Sequence, residues 1–278
     1  MMQKFTMIIF FHLAVLTQID AQVKMPALSP VQTLQQEFGT GTIEIKYARP
    51  AVRARKVFGN VVPFGELWRT GANAATQIRF TDPVVINGLP LDSGSYVLYT
   101  IPNKESWEII LNKGLKNWGV DGYKKEEDVL RFTVAVTKLK SSIESLTLQL
   151  ASVAPQYCEL HLMWDKTAII IPITTDVKPK LKSQIESALQ GEKKPYWQAA
   201  QFYNEYENDF KLALEYVEKA IEQNKEAYWI WIYKARIQNK LGDKIGALAS
   251  SQQSLSLAKK AGNNDYVRMN EELQKELK

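Results

Sequence analysis

Cysteine is nearly absent from this chain: Cys158 is the one thiol in 278 residues. No internal disulfide and no paired-cysteine metal site can form without a second. Histidine is as scarce, with His12 inside an N-terminal apolar run and His161 left alone beyond it. One imidazole with the nearby Glu159 is too few donors for a closed zinc site. A serine or cysteine nucleophile would have to share that same His161, and no Gly-x-Ser-x-Gly elbow exists to present a serine. Cys158 and His161 lie three apart on an expected strand, so they point to opposite faces. Gly39-Thr40-Gly41-Thr42 lacks the third glycine of a nucleotide cradle and leads into a strand, whereas such cradles open a helix. Asp121-Gly122 lacks the further acids of a calcium loop. The net charge of +5 is modest, and no basic helix, zinc-finger spacing or ribonucleoprotein aromatic motif accompanies it, so nucleic acid is not an expected partner. No cofactor and no metal are implied. A paired-carboxylate glycosidase stays open, because the separation of acids cannot be read from a sequence; no observation favours it.

What is present begins with the apolar run Phe5–Leu16 behind Lys4, followed by small residues. It is shorter than the about 20 residues a spanning helix needs and has no polar face. The layout is that of a signal peptide over residues 1–21, with Ala21 before the cut and Gln22 as the mature start. No cysteine stands near the cut to carry a lipid. The expectation is a periplasmic or secreted protein with no membrane span after cleavage.

Residues 22–40, with Pro26 and Pro30, read as a mature leader. Thr42–Tyr47 alternates cleanly and predicts the first strand. Alternation returns at Thr76–Phe80, Val84–Ile86 and Ser95–Ile101, with a hairpin turn at Asn87-Gly88. Trp107–Leu111, Val129–Thr137, Leu146–Val153, Gln156–Trp164 and Ala168–Ile173 follow, the last two joined by a turn at Asp165-Lys166. In Gln156–Trp164 the alternation turns Cys158, Leu160, Leu162 and Trp164 inward, so the thiol is expected to be buried. Short strands joined by hairpins, with no crossover helix between them, predict an antiparallel β-sandwich or jelly-roll-like domain over residues 41–175.

The pattern then turns helical. A linker helix is expected over 176–192, opened by Pro179 and closed by Gly191. Residues 193–278 carry a repeat of period 34: Trp197 matches Trp231, Asp209 matches Asp243, and Ala213-Leu214 matches Ala247-Leu248. That is the period of tetratricopeptide-like helix pairs. Asp265–Leu277 is placed as a capping helix. Two copies are fewer than a free-standing array needs, so the helices are expected to lean on the sandwich. The fold class is thus α+β and multidomain. Core packing is expected for Trp197 and Trp231, whereas Tyr206 and Trp229 are candidates for a partner-binding face.

Tyr47–Phe80 holds most of the arginines: Arg49, Arg53, Arg55, Arg69 and Arg79. One reading makes Arg49, Arg53, Arg55 and Arg69, with Thr70, Asn73 and Thr76, a site for an acidic or hydroxyl-rich ligand, Trp68 serving as stacking platform. The other makes the arginines clips that pair with acids such as Glu44, Glu66 or Asp92 and pin a long connection to the sheet.

Arg49-Pro50, Arg55–Gly59, Val62–Gly65 and Trp68–Thr76 together resemble the signature of domain-of-unknown-function family 2911, a family of exported bacterial proteins. Gly94-Ser95-Tyr96, Ile101-Pro102, Trp107, Ile110-Leu111-Asn112, Trp118-Gly119 and Asp128–Arg131 extend the resemblance over roughly residues 27 to 173. It implies a β-rich fold and export, and it brings no activity. The family signature often carries Glu after the residue matching Asn73; Ala74 stands there in this chain. The function expected from the whole is a non-catalytic binding or scaffold protein, its helices engaging an envelope protein or peptide and its loop site an anionic or saccharide ligand. An envelope hydrolase of glycan or peptide is the alternative.

Overall fold

The computed structural model describes residues 25–278; the signal peptide expected over residues 1–21 lies outside them. Ten strands are formed: β1 (Val31–Phe38), β2 (Gly41–Ala48), β3 (Thr76–Phe80), β4 (Val84–Ile86), β5 (Leu89–Leu91), β6 (Gly94–Pro102), β7 (Ser106–Asn112), β8 (Asp128–Ala135), β9 (Thr137–Ala154) and β10 (Tyr157–Thr174). One sheet runs β1-β2-β3-β6-β7-β8 and the other β5-β4-β10-β9. Every strand pairing within them is antiparallel. Alternation in each strand sends apolar residues to the space between the sheets. Ile43, Ile45, Ile78, Phe80, Leu98, Trp107 and Ile109 from the first sheet meet Leu148, Cys158, Leu160, Leu162, Trp164, Ile169 and Ile171 from the second in one core. Cys158 is fully buried, and burial pushes its thiol up to about 11.

Two strand expectations are corrected. The first strand is β1, inside the stretch read as a leader, and it pairs along its whole length with β2. Its inward positions include Gln32 and Gln36 beside Leu34 and Phe38, so an apolar count misses it. Tyr47 shows why a glutamine serves there: its hydroxyl donates to Gln32 Oε1 at 2.8 Å. Asp165-Lys166 is no turn, since β10 runs straight through it. The register against β9 shifts on both sides of Asp165, which has φ 50° and accepts from the Ser142 hydroxyl at 2.8 Å. This is a bulge, and an aspartate tolerates its left-handed backbone. The Asn87-Gly88 turn is formed, with φ 49° and 82°, but the strand across it is the short β5, which the alternation does not mark; Ser95–Ile101 lies in β6 of the other sheet.

The helices are α1 (Lys178–Leu189), α2 (Tyr196–Phe202), α3 (Phe210–Gln223), α4 (Tyr228–Lys240), α5 (Lys244–Lys260) and α6 (Asn264–Glu276). The 34-residue period repeats one helix pair: α2 with α3, then α4 with α5. Asp209 and Asp243, matched by the repeat, each cap the second helix of the pair, accepting from Leu212 N at 3.0 Å and Gly246 N at 2.9 Å. Asn208 (φ 55°) and Gly242 (φ 82°) make the turns before them. Trp197 packs edge-on to Tyr233 at 4.8 Å, and Trp197 and Trp231 both pack against the apolar cluster between the helices.

The helices touch the sandwich at the start of α1 only slightly, and it is not their main support. Among the described residues no helix makes extensive contact with a strand; the junction includes buried Val177, whose N–H donates to Gln156 Oε1 at 3.4 Å, and the Lys180–Asp82 ion pair at 2.6 Å. The flanking helices supply the support instead, α1 on α2 and α6 on α5. Part of that support is polar: Asn270 of α6 is fully buried and bonds Ser251 and Ser254 of α5 at 2.9 and 2.8 Å.

Candidate functional site

The arginines of the long β2–β3 connection all reach main-chain carbonyls. Arg49 donates to Leu146 O at 2.9 Å and to the Thr147 hydroxyl at 2.9 Å. Arg53 donates to Leu28 O at 2.9 Å, Arg55 to Val52 O and Ala51 O at 3.0 and 2.7 Å, and Arg69 to Asn73 O at 2.9 Å. The expected pairing with Glu44, Glu66 or Asp92 is not made; among the described residues none of these arginines has a carboxylate within ion-pair distance. A connection of this length has more carbonyls than strand partners, and the guanidinium groups satisfy several of them, Arg55 two at once.

The connection closes one opening between the sheets. At its start it pairs with the edge of β9, through Val52 N to Glu144 O at 2.8 Å and Leu146 N to Pro50 O at 2.9 Å. Towards its end, Trp68 and Thr100 of β6 exchange backbone bonds of 2.7 and 2.9 Å. Trp68 thereby points into the core. It is 8% exposed, stacks on Trp164 at 5.8 Å and meets Phe58 and Trp107 edge-on at 6.1 and 5.9 Å. A ring so enclosed offers no face to a ligand, which corrects its reading as a stacking platform. Thr70 and Thr76 are also fully buried. Thr76 Oγ1 donates to Thr70 O at 2.8 Å and Thr70 Oγ1 to Thr100 Oγ1 at 3.1 Å. These bonds hold Thr70 at φ 53°, a costly conformation for a β-branched residue.

Asn73 and Arg69 lie elsewhere, beside an exposed tryptophan. On the outer face of the first sheet, a cleft of about 290 Å³ is lined by Lys46, Ala48, Asn73, Ala74, Gln77 and Trp118 among others. Trp118 is 64% exposed. The side chain of Asn73 bonds to no described residue, although its backbone, at φ 60°, is held by Arg69. Ala74, where the family signature often has Glu, lines the same cleft. Of the expected site residues the structure therefore brings Asn73, with Arg69 behind it, to one cleft; Arg49, Arg53 and Arg55 are engaged apart from it. Trp118 was missed as a site residue. Its signal was a tryptophan followed by glycine in a strand-poor, Asn- and Gly-rich stretch.

The 113–124 loop that carries Trp118 is tied down at several points. Gln77 donates to Leu115 O at 3.1 Å, and Asn117 donates to the Tyr99 hydroxyl at 3.3 Å. Asn112 takes Gly114 N at 2.8 Å and donates to Lys124 O at 2.9 Å. Arg131 ends the loop by bridging Glu108 at 2.7 Å and Asp128 at 2.8 Å. Tyr123 donates to Asp128 at 2.8 Å and accepts from Arg131 at 2.7 Å. Burial, then the bond to Asp128, pushes the Tyr123 hydroxyl up to about 12 from its usual 10.0. Because the folded value is the higher, this stabilisation is complete below pH 10 and is lost as pH rises through about 12. Urea midpoints should fall over that window, and less steeply in Tyr123→Phe; an equal fall in both proteins would mean that Tyr123 does not contribute.

The helical candidates stand apart. Tyr206 is half-buried, stacks on Phe202 at 6.0 Å and lines a groove of about 400 Å³ between α1 and α2. Trp229 is 37% exposed at the start of α4. His161 lies on the polar face of β10, 2.8 Å from Glu159. Among the described residues no group of three or more His, Cys, Asp or Glu converges as a metal site, and no helix is long and apolar enough to cross a membrane.

No curated protein matches the chain. Residues 29–173, which take in both sheets almost entirely and the whole Arg-rich connection, match the family described as Protein of unknown function (DUF2911). The match spans more than half of the 278 residues, and the chain belongs to that family.

Proposed function

We propose that this is an exported, non-catalytic binding protein whose β-sandwich takes a hydroxyl-rich ligand, a saccharide, in the Trp118 cleft, and whose helical module engages a protein partner. The exposed indole carries the reading. Trp118 is 64% exposed on a loop fastened from several sides, so its position is set before any ligand arrives. An indole face with amide and ammonium groups around it suits a sugar ring, which has an apolar face and a rim of hydroxyls. Asn73, Lys46 and Gln77 supply the polar groups. Among the described residues the lining has no Asp, Glu, His, Cys or Ser, so no acid–base pair stands by for hydrolysis, and this favours binding over the hydrolase alternative.

Titration of the mature protein with neutral oligosaccharides by isothermal calorimetry tests the reading. Trp118→Ala should weaken binding at least about tenfold, the loss of roughly 1.4 kcal/mol. Its unfolding free energy should stay within about 0.5 kcal/mol of the parent, as for an exposed side chain. Absence of saccharide binding, or binding unchanged in Trp118→Ala, would overturn it.

A further inference from the structure

A second cavity, unrelated to the Trp118 cleft, lies in the helical module where α1, α2 and α3 meet. It has a volume of about 330 Å³ and is lined by Glu186, Lys194, Tyr196, Tyr203, Tyr216 and Lys219 among others. The tyrosines form a column. Tyr216 is in the middle, stacked on Tyr203 at 5.5 Å and 16° and on Tyr196 at 6.2 Å and 26°. Lys219, one turn along α3 from Tyr216, holds its ammonium over the Tyr196 and Tyr216 rings at 5.8 and 5.3 Å.

Five of the twelve tyrosines, Tyr47, Tyr96, Tyr123, Tyr157 and Tyr233, donate their hydroxyls to protein acceptors. Among the described residues, the hydroxyls of Tyr196, Tyr203 and Tyr216 have no such partner. Neither Lys194 nor Lys219 has a carboxylate within ion-pair distance there. The local helix is also irregular. Tyr203 opens the π turn Tyr203–Glu207 that ends the first repeat helix before the left-handed Asn208.

We infer that this cavity binds an oxyanion, a carboxylate or a phosphate, between the tyrosine hydroxyls and the two lysines. Hydroxyl and ammonium groups are all donors, and an oxyanion is the group that accepts from several at once. The ring faces keep the Lys219 ammonium in place by cation–π attraction without neutralising it as a carboxylate would. Burial, with Tyr216, Glu186, Glu207 and Asp209 around it, raises Tyr203 above its usual value, so that hydroxyl keeps its proton and remains a donor. Among the described residues Glu186 is the one acid in the lining. It disfavours densely charged polyanions and faces a donor, a hydroxyl or an ammonium, on the ligand body.

Chemical-shift titration of the full mature chain with inorganic phosphate, and separately with an N-acetylated tripeptide bearing a free C-terminal carboxylate, tests the site and separates the two sources. Saturable shifts in the amides of residues 186–219 are expected with at least one probe. Lys219→Gln should weaken that probe at least about fivefold, and so should Tyr203→Phe, a variant that keeps the ring stack. Raising salt should weaken binding further. Shifts unchanged in Lys219→Gln, or no saturable response to either probe, would overturn the inference. Saccharide binding at Trp118 is read separately and does not enter this outcome.

Discussion

Trp68→Ala is expected to lower the unfolding free energy of the β domain by about 3–5 kcal/mol, the range for deleting a buried large aromatic. The indole is 8% exposed and belongs to a four-ring cluster in which Phe58 meets Trp107 at 4.8 Å and Trp164 at 6.0 Å. Removing it leaves a cavity that its neighbours cannot close, because Trp107 and Trp164 are themselves held on β7 and β10 of facing sheets. The loss includes the bond from Trp68 Nε1 to Gly71 O at 3.0 Å, which strands a buried carbonyl. Trp68→Phe keeps most of the apolar contact and gives up that bond, so it should cost less, about 1–2 kcal/mol. Urea denaturation of the isolated variants measures both. A ligand platform would behave in the opposite way, with Trp68→Ala losing binding at nearly unchanged stability. A cost below about 1 kcal/mol for Trp68→Ala would mean that the aromatic cluster is not what closes this end of the sandwich.

The contrast between Trp68 and Trp118 marks where the sequence stops being legible. Both sit in strand-poor stretches rich in Gly, Asn and Arg or Lys, and nothing local tells a buried indole from an exposed one. Trp68 is buried because its backbone pairs with Thr100 of β6, a contact between residues far apart in the chain. Likewise the arginine partners are carbonyls of Leu28, Ala51, Val52, Asn73 and Leu146, and a carbonyl is present at every residue. Sequence can show that guanidinium groups are needed; it cannot show which oxygens they satisfy. Patterns with their own period were legible. Alternation marked β2, β3 and β6, the Asn87-Gly88 pair marked its turn, and the spacing of 34 matched Asp209 with Asp243 in the same capping role. The bulge at Asp165 was read as a turn because the residues that favour each are the same, both needing a left-handed backbone. The support of the helices was misjudged for a related reason. A repeat count says that flanking surface must be covered, and the cover came from α1 and α6 rather than from the sheets.

Gly119→Val should disable the Trp118 cleft through the arginine behind it. Gly119 is buried at φ 65°, a region where a side chain costs roughly 1–2 kcal/mol and a β-branched one is a true outlier. A Cβ there would stand 2.7 Å from Arg69 Nη1 and 3.1 Å from its Cζ. Either the loop lifts or the guanidinium leaves Asn73 O, and each displaces one wall of the cleft. Saccharide affinity should fall at least about tenfold, or roughly 1.4 kcal/mol, and amide hydrogen exchange over residues 113–124 should quicken. The exchange readout holds whether or not the ligand is a sugar. Because the clash is with one side chain, Arg69→Ala should relieve it, so the double variant should be less damaged than the two single costs added together. Strictly additive effects, or unchanged exchange in the loop, would show that Arg69 and Gly119 are not coupled. Asn73 and Trp118 would then be neighbours in the cleft without a shared support.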